Sequence, residues 1–175
     1  MSGPVVLTAG GTGGHIFPAV AVARELKARG VAVVLVGASG GMEERVAAQE
    51  GLDFAGVRAG KLDRERPSPR ALAQAAGGLL DAWRLLRRLR PRVVVGFGGF
   101  ASVPASVAAA LTGTPLVLHD SNAYPGLVTR LLARRAAVVA LGDEAARARL
   151  PGARATWVGM PTREARPGRA DALAR

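Results

Sequence analysis

The chain has no cysteine, so it can carry neither a disulfide framework nor a thiolate nucleophile. Lys27 and Lys61 are its only lysines. Neither follows the spacing of a phosphate-binding P-loop, which is thereby excluded. Aromatic residues make up 4%, with no interleaved basic and aromatic pattern, so nucleic acid is not expected as a partner. The two histidines, His15 and His119, are far apart, and the carboxylates are not clustered. No metal site of the usual kind is indicated, and no cofactor is expected. No basic segment precedes the first apolar run, so no signal peptide is expected.

What is present is a chain of 175 residues with 49% hydrophobic content, enough for one α/β domain with a sizeable core. Charge is unbalanced: 24 basic against 13 acidic residues give +11, nearly all from arginine. Either the arginines are spread over solvated faces, or they attract an anionic partner such as anionic lipid or a diphosphate. The stretch Val93 to Leu118 is uncharged. Gly96, Gly98, Gly99, Pro104, Gly113 and Pro115 break it into short elements, which argues against a membrane span.

Apolar runs and helical spacings alternate, the pattern of a parallel sheet covered on both faces. The expected fold is Rossmann-like, with six or seven strands. Strands are expected at Val5 to Leu7, Val31 to Val36, Phe54 to Val57, Arg92 to Val95, Leu116 to Leu118, Ala137 to Leu141 and Thr156 to Val158. Helices are expected at Ala19 to Leu26, Met42 to Glu50, Arg70 to Arg90, Ala101 to Thr112 and Tyr124 to Arg134. Gly77-Gly78 should weaken or kink the long helix. Residues 60–69 read as an exposed loop and 161–175 as a linker.

The chemistry concentrates in Ala9-Gly10-Gly11-Thr12-Gly13-Gly14-His15-Ile16-Phe17-Pro18. A glycine-rich turn from strand to helix bares N–H groups at the positive end of a helix dipole. It is not a dinucleotide fingerprint: Ile16 stands where the third glycine belongs, and no acid follows the second strand at Val36-Gly37-Ala38-Ser39.

This run resembles the first glycine-rich loop of the MurG family, the GT-B glycosyltransferases that make lipid II for peptidoglycan. Three more stretches are similar to family motifs in the same order. Gly96-Phe97-Gly98-Gly99-Phe100, with Ser102 and Pro104, resembles the second glycine-rich loop. His119-Asp120-Ser121-Asn122 resembles the HEQN motif, with Asp for Glu and Ser for Gln. Gly159-Met160-Pro161-Thr162-Arg163 resembles GNPVR, with Met for Asn.

The resemblance implies transfer of N-acetylglucosamine from UDP-GlcNAc to a muramyl hydroxyl of lipid I, with inversion and without a metal-binding DxD motif. It implies His15 as general base, a task suited to an imidazole side chain. The alternative is a helix-start histidine bonded to its own backbone. Thr12, Gly13, Gly14, Asn122 and Arg163 are implied as contacts to UDP-GlcNAc. Gly98 and Gly99 offer N–H groups to the lipid I diphosphate, or else form a close strand-to-helix turn. His119 and Asp120 are possible supports, His119 through a backbone carbonyl.

The same resemblance makes residues 1–160 an N-terminal acceptor-binding domain and 161–175 the start of an interdomain linker. A C-terminal UDP-sugar-binding domain is absent from this chain, which alone should not be active. The location implied is peripheral, on the cytoplasmic face of the bacterial inner membrane. The helix at Arg70 to Arg90 is expected to dock on an anionic membrane surface, burying Leu79 and Leu86 while exposing Leu80 and Trp83. Competing readings are an epimerase-like GT-B domain acting on sugar nucleotides, a cofactor domain of an oxidoreductase, and a non-catalytic membrane-docking module of the same fold.

Overall fold

The computed structural model describes residues 3–59 and 69–161. The expected loop at 60–69 lies almost wholly outside the described residues, and so does the linker beyond Pro161.

Seven strands form one parallel sheet: β1 (Val5–Thr8), β2 (Val33–Ala38), β3 (Asp53–Val57), β4 (Val93–Gly96), β5 (Leu116–Asp120), β6 (Val138–Leu141) and β7 (Ala155–Trp157). Their spatial order is β3-β2-β1-β4-β5-β6-β7. The helices are α1 (Gly13–Ala28), α2 (Met42–Gln49), α3 (Pro69–Leu89), α4 (Val103–Thr112) and α5 (Leu127–Leu132), with 3-10 segments at Phe100–Ser102 and Glu144–Arg149.

Alternate residues of each strand face opposite layers. Val5 and Leu7 pack with Ile16, Ala19 and Val20 of α1 and with Val46 of α2. Val6 and Val94 pack on the other side with Ala82 and Leu86 of α3 and Ala105 and Ala108 of α4. Each fully buried leucine such as Leu7 or Leu35 contributes ~1.5–3 kcal/mol. This is the doubly wound, Rossmann-like architecture that the alternation implies.

Several element ends differ from expectation, each for a local reason. α1 starts at Gly13, not Ala19, so the glycine-rich motif is itself the first turn of a helix. β2 starts at Val33 because the N–H of Val31 is spent on the carbonyl of Leu26, closing the end of α1 through Gly30. α5 begins at Leu127 rather than Tyr124. Pro125 drives the residue before it out of the helical region. β5 runs on to Asp120, which puts His119 and Asp120 inside the strand.

α3 is continuous through Gly77-Gly78, against the expected kink. A Cβ on Gly78 would overlap the carbonyl oxygen of Arg58, and one on Gly77 would lie 2.8 Å from the Arg58 guanidinium. The two glycines let α3 lie directly against the end of β3. The Arg58 guanidinium then pairs with Asp81 of α3, Nε to Oδ2 at 2.6 Å. As expected, α3 buries Leu86 and packs Leu79 against the core, while Leu80 and Trp83 stay exposed.

Candidate functional site

All seven strands are parallel, so their carboxyl ends share one edge of the sheet. The chain winds outward from β1 through β2 and β3, then returns to β4 and winds the other way. The switch point therefore lies between β1 and β4, where sheets of this kind leave a crevice for ligands. The loops that follow these two strands are the two glycine-rich motifs.

They are pressed together. The N–H of Phe97 donates to the carbonyl of Thr8 at 2.8 Å, extending the β1–β4 pairing into the loops. A Cβ on Gly99 would overlap the carbonyl oxygen of Gly10, and one on Gly11 would meet the Phe100 ring at 2.8 Å. Gly98 and Gly99 have φ of +87° and +80°, a region that glycine enters without steric cost. Ser102 holds the second loop: its N–H and its hydroxyl both donate to the Gly99 carbonyl, at 3.2 and 2.9 Å.

Thr12 is the N-cap of α1, but its side chain makes no capping bond. Thr12 and Gly14 are exposed. The first N–H groups of α1 thus receive no side-chain cap at the crevice, where the positive end of the helix dipole also points. Pro18 has no N–H, so the Gly14 carbonyl lacks its usual helical donor.

His15 lies in this first turn. Its ring covers the second loop: a Cβ on Gly98 would sit 3.2 Å from its Cε1 and Nδ1, and one on Gly99 3.1 Å from its Cδ2. Nδ1 is buried without a hydrogen-bond partner. The fold thus brings together Thr12, Gly13, Gly14, His15, Gly98 and Gly99.

The third motif closes one side. His119 is 3% exposed and packs on Phe97, ring centroids 5.4 Å apart. Its Nε2 lies 3.5 Å from the carbonyl oxygen of Gly159 in the fourth motif, and Nδ1 is buried without a partner. Burial holds the imidazole below its usual pKa. The Gly159 carbonyl and Asp120 pull the other way, and His15 adds to the lowering. Asp120 is buried, and its carboxylate accepts from the N–H and side-chain amide of Asn122, both at 3.2 Å, and from the Gly126 N–H at 2.9 Å. Asp120 thereby shapes the loop and orients the Asn122 amide. Arg163 lies outside the described residues.

Sequence reasoning missed Glu43. It is 2% exposed in the first turn of α2, and its Oε1 accepts the Gly11 N–H at 2.7 Å. An acid beginning the helix after a Gly-Gly pair was the only signal, and it reads equally well as a solvated helix start. Among the described residues no group of three or more histidine, cysteine or acidic side chains is placed to hold a metal. No described helix is long and apolar enough to cross a membrane.

Residues 5–141 match the model of the glycosyltransferase family 28 N-terminal domain. The chain is 53% identical over 173 residues to a UDP-N-acetylglucosamine--N-acetylmuramyl-(pentapeptide) pyrophosphoryl-undecaprenol N-acetylglucosamine transferase of Deinococcus radiodurans, covering 97% of this chain and 43% of the relative. It is 46% identical to the transferase of the same name from Thermus thermophilus, covering 93% and 48%. The crystal structure of Acinetobacter baumannii MurG superposes with a TM-score of 0.80 at 27% identity, covering 93% of this chain and 47% of that one. The chain spans a little under half the length of these relatives. With the family model spanning most of its length and the glycine-rich loops of that domain meeting at the switch point, the chain belongs to glycosyltransferase family 28.

Proposed function

We propose that this chain is the acceptor-binding N-terminal half of an enzyme that transfers N-acetylglucosamine from UDP-GlcNAc to lipid I, forming lipid II. The observation that carries the reading is the ring of His15, seated on the Gly98–Gly99 turn at the switch point of the sheet. Residues 1–160 form the domain, 161–175 begin the linker, and a C-terminal domain supplies the rest of the donor site.

His15 is the general base. Its Nδ1 is closed off, which leaves Nε2 for the substrate. There it takes the proton of the muramyl hydroxyl as that oxygen attacks the anomeric carbon. The bond from that carbon to UDP breaks with inversion. Such proton transfer contributes ~10²–10⁴-fold. Thr12, Gly13 and Gly14 present N–H groups and a hydroxyl to the donor, and Gly98 and Gly99 serve the acceptor diphosphate. Asn122, oriented by Asp120, and Arg163 of the linker contact the donor sugar nucleotide. His119 supports the site from beneath.

The acceptor is a membrane lipid, so this half must reach a bilayer. The exposed apolar face of Leu80, Trp83 and Leu111 (41%, 37% and 69% exposed) suits that contact. Arg87 lies 4.8 Å over the Trp83 ring. Such a face, flanked by arginines on α3, fits the interface of an anionic leaflet and supports a peripheral location on the cytoplasmic side of the membrane.

The test is transfer of labelled GlcNAc from UDP-GlcNAc to a lipid I analogue. A two-domain protein carrying this chain as its N-terminal half is expected to make lipid II, and the chain alone is not. No product from the two-domain protein, or equal turnover by the chain alone, overturns the reading.

A further inference from the structure

The crevice is built on a buried acid with no part in the transfer chemistry. Glu43 belongs to α2, yet its side chain reaches across to the first glycine-rich loop and accepts the Gly11 N–H at 2.7 Å. Three glycines make room for it. A Cβ on Gly10 would overlap its Oε1, one on Gly41 would overlap its Oε2, and one on Gly37 would lie 2.7 Å from its Cβ. These glycines come from the ends of β1 and β2 and from the N-cap of α2. Gly41 has φ of −79°, and Gly10 and Gly37 are not among the positive-φ positions. The backbone conformation does not demand glycine at any of the three; the space taken by Glu43 does, together with the Ala101 Cβ at Gly10 (2.5 Å) and the Ala38 carbonyl oxygen at Gly41 (2.9 Å). The next acid, Glu44, serves only its own turn, accepting the Gly40 N–H.

A buried acid ordinarily costs stability unless it is hydrogen-bonded. Here its bond fixes the residue immediately before Thr12, Gly13, Gly14 and His15. We propose that Glu43 is the positioning residue of the first glycine-rich loop: its carboxyl group holds Gly11 so that the N–H groups of residues 12–14 and the ring of His15 face the sugar nucleotide. This inference rests on the proposed transferase reading for its substrate. Glu43 itself touches no substrate and acts through Gly11.

The test uses a two-domain protein carrying this chain, with Glu43→Ala, Glu43→Gln and Gly41→Ala variants. Gly41→Ala keeps the acid but pushes it from its seat, and alanine is at ease at that φ. Two readouts are taken: kcat and KM for GlcNAc transfer, and hydrogen exchange of the backbone segment 9–17. Glu43→Ala and Gly41→Ala are expected to lower kcat/KM for UDP-GlcNAc about tenfold or more. They should also speed exchange in 9–17 while leaving β5 to β7 unchanged. Glu43→Gln, which retains an acceptor oxygen, should stay within about threefold of wild type.

Unchanged exchange in 9–17, exchange that rises equally throughout the domain, or a glutamine variant as impaired as alanine overturns the proposal. So does kcat/KM of Glu43→Ala within about threefold of wild type. If the wild-type protein makes no lipid II, the transferase reading fails on its own. The exchange data then still decide whether Glu43 orders the loop.

Discussion

The carbonyl of Gly10 rests directly against the α-carbon of Gly99, with no room for a side chain between the two glycine-rich loops. Gly99→Ala meets two penalties there, since φ at this position is +80°. Its ψ of 161° puts it in a region that is essentially glycine's alone, where another residue costs ~1–3 kcal/mol, and forced overpacking against backbone typically costs ~1–3 kcal/mol. Gly99→Ala is therefore expected to lose at least about 2 kcal/mol in urea unfolding. Gly113→Ala is the control, because it shares the positive φ but has open space around it. Equal losses for the two would show that loop contact adds nothing.

For the chemistry, His15→Ala in a two-domain protein should lower kcat by ~10²-fold or more, with little change in KM. That is the pattern of an interaction made only in the transition state. Asn122→Ala should mainly raise KM for UDP-GlcNAc. If kcat of the His15 variant stays within about threefold of wild type, the ring is only packing on Gly98.

His119 predicts a pH dependence of stability. Burial lowers its pKa in the folded state from the ordinary 6.5, Asp120 opposes that shift and His15 reinforces it. The unfolded chain therefore takes up the proton first as pH falls, and the folded state loses stability below about pH 6.5, by up to ~1.4 kcal/mol per pH unit. Above that pH the stabilisation is fully present. His119→Asn should flatten the slope between about pH 7 and 5, measured by denaturant unfolding at several pH values. Parallel wild-type and variant curves would assign the slope to other groups.

Vesicle sedimentation tests the apolar face. Wild type should bind anionic vesicles at low salt and release at high salt. Trp83→Ala and an Arg84/Arg87/Arg88 triple alanine variant should bind less. Salt-insensitive binding that is equal in all three would put the contact elsewhere, and no wild-type binding would exclude docking by this domain.

Much of this fold is legible in the residues. Runs such as Val93-Val94-Val95 and Val138-Val139-Ala140-Leu141 can be little else than strands, and the glycine motifs mark turns that follow strands of this kind. Element ends are harder, because they depend on single bonds: the Val31 N–H turning back to Leu26, or Pro125 delaying α5. The helical state of Gly13 and Gly14 runs against their propensity and is set by tertiary packing of Ile16, Ala19 and Val20. Glu43 was beyond reach for another reason. Its meaning lies in Gly10, Gly37 and Gly41, which only the folded sheet gathers around it.

The order of the strands also sets the order in which the crevice is completed as the chain is made. Val5 pairs with Val33 on one side and with Val93 on the other. At a synthesis rate of ~5–20 residues per second, the second partner follows the first strand by roughly 5–20 seconds. During that interval one edge of β1, whose four residues are all buried in the folded sheet, lies open. A nascent chain that stalls before β4 emerges would present it to any neighbour, which makes this interval a natural point for chaperone capture.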